Sequence, residues 1–294
     1  MEFSFDSFAD GSFDYDPKTK THTCLWLREE HMDVGGGKIS VADIDKLKDL
    51  PETDVVKISG LRQDTFEYFI KTYGNQLKAI SFFKNKFIED WSLLGTLPNL
   101  EYLYFFANQR INSLWDMSEN RSLTGLCIKD FSRLSSIEGI GTAPNLREFC
   151  IGNAIWSTMT LDSLSPLANC RIEKLTFFGR KIADNDFSFL ADMPDLKQFD
   201  FPTNMLSTEQ VAWITANFPQ LEGYALKAKI DIDLSDSPYD NIPKVLLVGK
   251  RKPLLEIRGN EKQIEKHVRI FEELKKRYKD VPYKTAFPQS DTDI

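Results

Sequence analysis

Cysteine and histidine are scarce in this sequence, and long apolar runs are missing. Among 294 residues there are 4 cysteines and 3 histidines, without the C-x-x-C or H-x-x-x-H spacing of a zinc site. Four scattered cysteines are too few for a disulfide scaffold, which indicates a reducing compartment. Because no apolar run reaches the length of about 18 residues that a membrane-spanning helix needs, we expect no membrane span.

The first 16 residues lack the basic and apolar regions of a secretory signal. They carry five acidic residues and no basic residue. A secretory signal begins with positive charge followed by an apolar segment. The sequence therefore predicts a cytoplasmic protein.

Catalytic motifs are also missing, since neither a G-x-S-x-G nor a G-x-G-x-x-G pattern occurs. Residues 35–38 read Gly-Gly-Gly-Lys, but Ile39 stands where a phosphate loop has its Ser or Thr, and Met32 stands where it has its first Gly. We interpret this segment as a flexible joint before a helix at residues 41–50, with Ser40 as the N-cap. We expect no enzyme activity, no cofactor and no metal.

What the sequence does contain is a repeat of 23 residues with the pattern L-x-x-L-x-L. A degenerate copy with Val56 and Ile58 comes before it, and strands at 175–177, 199–201 and 224–226 follow at longer spacing. A proline precedes four of the strands. Proline cannot continue a helical segment, so it ends the segment that comes before the strand. The four regular copies are Leu77-Ile80-Phe82, Leu100-Leu103-Phe105, Leu123-Leu126-Ile128 and Leu146-Phe149-Ile151.

This pattern resembles the bacterial-type leucine-rich-repeat family. The resemblance implies an α/β solenoid of about eight strands, with a curved parallel β-sheet on its concave face and short helices or 3-10 turns on its convex face. It also implies that Asn85 and Asn108 belong to a ladder of buried asparagines that pair with loop backbone. Phe131 and Arg180 stand near the equivalent place in later copies, so we expect the ladder to be broken there.

The chain divides into four predicted parts. Residues 1–52 form an N-terminal tail, a hairpin with arms at 13–15 and 21–27, and a capping helix, and residues 53–230 form the repeats. Residues 231–280 form a strand-strand-helix cap, and residues 281–294 form a flexible tail. Within the repeats we predict a helix at 64–73 with Asp64 as N-cap and a helix at 207–218, where Ser207 and Gln210 form a capping box. The cap has strands at 244–248 and 254–257 and a helix capped by Asn260.

Alternate strand positions point away from the repeat core. They place on the concave face a candidate partner-binding patch of Phe83, Tyr102, Tyr104, Phe106, Lys129 and Phe178. Either these side chains are exposed anchors for a partner protein, or the N-terminal hairpin or tail folds over them. If they are exposed, replacing Tyr104 and Phe106 by alanine leaves the fold intact. Cys127 and Cys150 occupy equivalent positions in adjacent copies, close enough for a disulfide, although we favour two reduced side chains.

The function that this resemblance implies is a non-enzymatic module that binds an unidentified protein. The sequence does not fix the oligomeric state, and we favour a monomer. An inhibitor or immunity-like role is compatible with the net charge of −7. The alternative is binding of nucleic acid or an anionic surface through the C-terminal cap, where residues 244–279 hold twelve bases against five acids. Its candidate residues are Lys250, Arg251 and Lys252. The acidic chain as a whole argues against nucleic acid, and such a charge run is commonly a solvated face.

Overall fold

The computed structural model describes residues 25–29, 36–155, 159–232, 242–279 and 288. Within them the fold is mixed α/β, with a large open sheet of eight parallel strands and few helices. The strands in chain order are β1 (Leu25–Leu27), β2 (Val55–Ile58), β3 (Ala79–Phe83), β4 (Tyr102–Asn108), β5 (Gly125–Phe131), β6 (Glu148–Gly152), β7 (Thr160–Leu161), β8 (Lys174–Phe178), β9 (Lys181–Ile182), β10 (Gln198–Asp200), β11 (Lys229–Ile232), β12 (Lys244–Leu247) and β13 (Leu254–Glu256). The large sheet has the order β1-β2-β3-β4-β5-β6-β8-β10, so its strands follow the chain.

The register of the large sheet follows the sequence repeat. Ile80 pairs with Leu103, Leu103 with Leu126, and Leu126 with Phe149, each partner 23 residues further along the chain. All twelve L-x-x-L-x-L side chains of the regular copies are almost fully buried. The predicted strand register is therefore confirmed, and one face of the sheet carries the main apolar core.

Short helical segments return the chain from one strand to the next. Five of the six 3-10 turns bury a leucine or isoleucine. Trp91, beside the turn Ser92–Thr96, packs against Phe66, Phe82 and Phe105 at ring distances of 4.9, 4.7 and 5.0 Å. The α-helices are α1 (Val41–Ile44), α2 (Gln63–Tyr73), α3 (Thr208–Asn217) and α4 (Glu261–Lys279). The 3-10 segments are Asp45–Asp49, Gly74–Gln76, Ser92–Thr96, Glu138–Thr142, Ser165–Leu167 and Ser188–Asp192.

Two predicted helix starts are confirmed and one is wrong. Ser40 caps α1 and Ser207 caps α3, each within a capping box. Helix α2 begins one residue before the predicted start, because Arg62 has extended backbone and its N–H donates to the Thr65 hydroxyl. Asp64 therefore lies in the first turn, where its carboxylate accepts the N–H of Thr65.

The predicted strand at 224–226 is wrong. In its place the chain turns, since the Leu226 N–H donates to the Gly223 carbonyl. The Tyr224 N–H donates to the side chain of Asp200 rather than to the backbone of β10. The backbone pairing of the large sheet therefore ends with an isolated bridge between Gln198 and Glu222. The count of eight strands is nevertheless met, because β1 joins the sheet in parallel with β2. The first arm of the predicted hairpin lies outside the described residues.

The C-terminal part forms a separate antiparallel sheet and a helix. Strand β11 was missed by the sequence pattern, and it pairs with β12, which pairs with β13. Helix α4 buries Ile264, His267, Phe271 and Leu274. It is tied to α3 by the Tyr278 hydroxyl, which donates to Glu209 at 2.6 Å. The predicted domain boundaries stay predictions.

None of the helices within the described residues is long and apolar enough to span a membrane.

Candidate functional site

The face of the large sheet that points away from the main core is here called the outer face. Seven of its residues form a second apolar cluster, to which Phe83 and Tyr102 add partly buried rings. We call this second apolar cluster the central cluster. Its buried members are Val55, Ala79, Tyr104, Phe106, Ala107, Cys127 and Cys150. The prediction that these strand positions point away from the main core is therefore confirmed.

Of the two alternatives, the structure does not support exposed anchors at Tyr104 and Phe106, because each has an exposed fraction of only 8%. The strands are only ~4.8 Å apart, so large side chains at matching positions cover one another. Phe83 and Phe106 stack with ring centroids 5.1 Å apart and an interplanar angle of 15°. The second alternative, in which the N-terminal hairpin or tail folds over these side chains, involves residues 1–24, which lie outside the described residues.

The six predicted partner-binding residues do not form one accessible patch. Phe83, Tyr102 and Lys129 are half-buried, and the Lys129 ammonium lies 5.7 Å from the centre of the Tyr104 ring. Phe178, near the other end of the sheet, is 42% exposed. Of the six, Phe178 is therefore the most exposed.

The end of the large sheet at β8 and β10 is here called the open end. Tyr224 lies next to it and was missed by the sequence analysis. The strand pattern predicted it as an inward residue, but it is 48% exposed and its neighbour Ala225 is fully buried. Its N–H donates to Asp200 at 2.7 Å, and Lys227 lies 5.8 Å from its ring centre. Asp200 is in register with Thr176 and Cys150 on the outer face. The open end thus presents two aromatic rings and several charged groups.

Cys127 and Cys150 are paired in register on the outer face, as the repeat predicted. Both are free thiols and both are buried, so the reduced interpretation agrees with the structure. Burial raises the pKa of the Cys127 thiol well above its usual range. A thiol held in its protonated form reacts slowly, because the thiolate is the nucleophile.

The Gly-rich segment binds a carboxylate of the same chain. The N–H groups of Gly36 and Lys38 donate to the Glu29 carboxylate at 3.0 and 2.9 Å. Gly60 lies so close that a Cβ at that position would be 2.2 Å from the Glu29 side chain. These amides are therefore occupied, and the rejected phosphate-loop interpretation gains no support.

Buried asparagines pair with the backbone between repeats, as expected for Asn85 and Asn108. Asn85 donates to the Ile58 carbonyl and accepts the Leu61 N–H, both at 2.9 Å. Asn120 was missed, and its buried amide donates to two backbone carbonyls while its oxygen accepts the indole N–H of Trp115. It stands outside the strand pattern, so the repeat gave no signal for it.

The basic residues of the alternative function lie in the turn between β12 and β13. Arg251 is exposed and has left-handed backbone, with φ of 57°. Lys250 lines a cavity of about 530 Å³, together with Arg180, Lys181 and Asp184. Within the described residues, no group of three His, Cys, Asp or Glu side chains is arranged to hold a metal ion.

Comparison with models of known protein families gives no match for this chain. A search of curated proteins also finds no similar sequence.

Proposed function

We propose that this chain is a non-enzymatic interaction module of the leucine-rich-repeat type, which binds a protein partner through the open end of the outer face. Two features support the repeat type. The register advances by 23 residues from strand to strand, and Asn85 and Asn108 pair with loop backbone one repeat away. Stacked repeats of this kind offer a long sheet face for binding.

The observation that carries the proposal is the pair of exposed aromatic rings at the open end, Phe178 and Tyr224. Aromatic side chains are favoured anchors of protein interfaces, because they bury a large area with few rotatable bonds. Lys174 is exposed in the same strand as Phe178 and pairs with Glu148 at 3.3 Å. The proposed interface therefore has aromatic anchors with charged neighbours, and it replaces Tyr104 and Phe106 as the contact residues.

The proposal includes a cytoplasmic location and a monomeric chain. The three described cysteines are free thiols, including two that are neighbours in register, which fits a reducing compartment. The net charge of −7 favours a basic partner, as for an inhibitor that neutralises a basic toxin.

The test is affinity capture from a lysate of the source cell with wild type and two variants. The first variant carries Phe178→Ala and Tyr224→Ala. The second, Leu254→Ala, removes a side chain of comparable exposure from the C-terminal sheet. We expect the wild type and Leu254→Ala to retain the same protein, and the double variant to lose it. Purified partner should then bind the wild type with at least about tenfold higher affinity than the double variant, since truncating anchors commonly costs more than 1 kcal/mol each. Equal retention by all three proteins would refute the interface.

A second candidate function is binding of an anionic polymer through Lys250, Arg251 and Lys252. It is favoured by the position of Lys250 beside Arg180 and Lys181 at one cavity. Phosphate contacts weaken steeply with salt, whereas an aromatic interface does not. A labelled single-stranded oligonucleotide should then bind the wild type at low salt. Binding should be lost when Lys250, Arg251 and Lys252 are changed to glutamine. Absence of low-salt binding by the wild type would eliminate this function.

A further inference from the structure

We propose that a second cavity, at the end of strands β3, β4 and β5, binds a small phosphate-bearing ligand. This edge cavity has a volume of about 790 Å³ and is lined by residues of the three loops that follow these strands. Cavities of roughly 300–1,000 Å³ are the size of small-molecule sites. The inference is independent of the proposed protein interface, because the cavity residues follow the strands rather than lying on the outer face.

The repeat brings the cavity residues together. Phe87, Arg110 and Arg133 are spaced by 23 residues along the chain. Lys86, Gln109 and Ser132 form a second row with the same spacing. Since β3, β4 and β5 are neighbours in the sheet, residues in the same phase lie one strand spacing apart, about 4.8 Å at the backbone. Two in-phase rows therefore face one ligand space.

The cavity is positively charged in an acidic protein. Its three bases, Lys86, Arg110 and Arg133, stand against one acid, Glu89, which leaves a net charge of +2. Arg110 forms an ion pair with Glu89. Among the described residues, Lys86 and Arg133 have no ion-pair partner. Their charge is therefore available to an anion, and the mostly polar lining disfavours an apolar ligand.

One wall of the cavity is held in place before any ligand arrives. Two guanidinium groups lie near the Phe87 ring, with Arg62 at 6.0 Å and Arg110 at 5.4 Å from its centre. The Arg62 Nε donates to the Gly37 carbonyl at 2.8 Å. Gly37, with φ of 72°, packs so tightly that a Cβ would lie 2.8 Å from the Phe87 ring, and the neighbouring amides are fixed by Glu29. A wall fixed in advance lowers the entropy cost of binding.

These groups fit phosphate better than other anions. Arginine presents paired N–H donors that match two phosphate oxygens, and lysine adds a compact charge. Arg133 and Lys86 supply one of each, and the Ser132 hydroxyl adds a donor. Phe87 remains 37% exposed, so an organic group attached to the phosphate can pack against its edge. The site binds without making or breaking covalent bonds.

The test is isothermal titration of the full chain with two probes, inorganic pyrophosphate and metal-free ATP. The site variant carries Lys86→Gln and Arg133→Gln. The control variant carries Lys71→Gln and Arg121→Gln, an equal change of charge at exposed residues that precede strands rather than follow them. We expect the wild type and the control to bind, and the site variant to lose about tenfold or more in affinity, since two charged contacts are removed.

Binding of pyrophosphate would show that the phosphates are sufficient, and binding of ATP alone would show that the organic group is needed. Both outcomes support the proposal when the site variant is weakened and the control is not. Failure of the wild type to bind either probe at millimolar concentration would overturn it, as would equal affinities of all three proteins. Thermal unfolding of the variants checks that each is folded.

Discussion

The buried side chain of Asn108 provides a direct test of how the repeats are held together. Its amide nitrogen donates to the carbonyls of Asn85 and Ile88, both at 3.0 Å. Its oxygen accepts the N–H groups of Arg110 and Ile111 at 2.8 and 3.1 Å. Replacement by alanine therefore leaves four backbone groups without their partner.

The expected loss can be estimated from these four bonds. A buried hydrogen bond contributes about 1 kcal/mol net, and a buried group left unpaired costs about 1–3 kcal/mol. Because the Arg110 N–H is only partly buried and can bind water, we expect Asn108→Ala to lower the free energy of unfolding by about 3–5 kcal/mol. Asn85→Ala removes two bonds of the same kind and should cost roughly half as much, about 2 kcal/mol.

Urea unfolding followed by tryptophan fluorescence measures these differences. Asn99→Ala is the matched control, since the Asn99 side chain is exposed and makes one bond of 3.2 Å, so its loss should be below about 0.5 kcal/mol. A loss below about 1 kcal/mol for Asn108→Ala, or no difference from Asn99→Ala, would refute the reasoning.

Further predictions concern acid stability and the two faces of the sheet. Lys48 and two tyrosine hydroxyls hold the pKa of Asp45 down at about 2, below its unfolded value of about 3.9. Its contribution is therefore present above about pH 4 and is lost as the pH falls towards 2, so the Tm difference between wild type and Asp45→Asn should shrink with acid. A difference that stays constant with pH would contradict this. Leu103→Ala should cost about 2–5 kcal/mol and Tyr104→Ala about 2–4 kcal/mol in urea unfolding, because both are buried on opposite faces. A neutral Tyr104→Ala would mean that the central cluster is not packed.

Much of the large sheet could be predicted because its core is periodic. The inward residues recur every 23 positions, and a one-residue slip would exchange both faces, so the register of β3 to β6 was specified locally. Where the period ends, prediction failed. Tyr224 has the spacing of a strand residue, but its N–H donates to the Asp200 side chain. The next strand, Lys229–Ile232, pairs antiparallel with β12 instead of joining the large sheet.

The candidate site was predicted less well for a related reason. The sequence indicates which way a strand side chain points, and Tyr104, Phe106 and Phe178 all point off the main core as predicted. Whether such a side chain is exposed depends on its neighbours across strands, and here Phe106 is stacked while Phe178 is open. The spacing of Arg110 and Arg133 by one repeat was equally present in the sequence, but the cavity that they share with Lys86 became visible only with the loops in place.

The sequence by itself determined the repeat length and the inward face, because both depend on spacing along the chain. Its resemblance to a repeat family also indicated the roles of Asn85 and Asn108. The tertiary structure decided which outer side chains are covered, where the sheet ends and which bases share a cavity. Those features depend on contacts between groups that are far apart in sequence, and a periodic pattern does not predict such contacts.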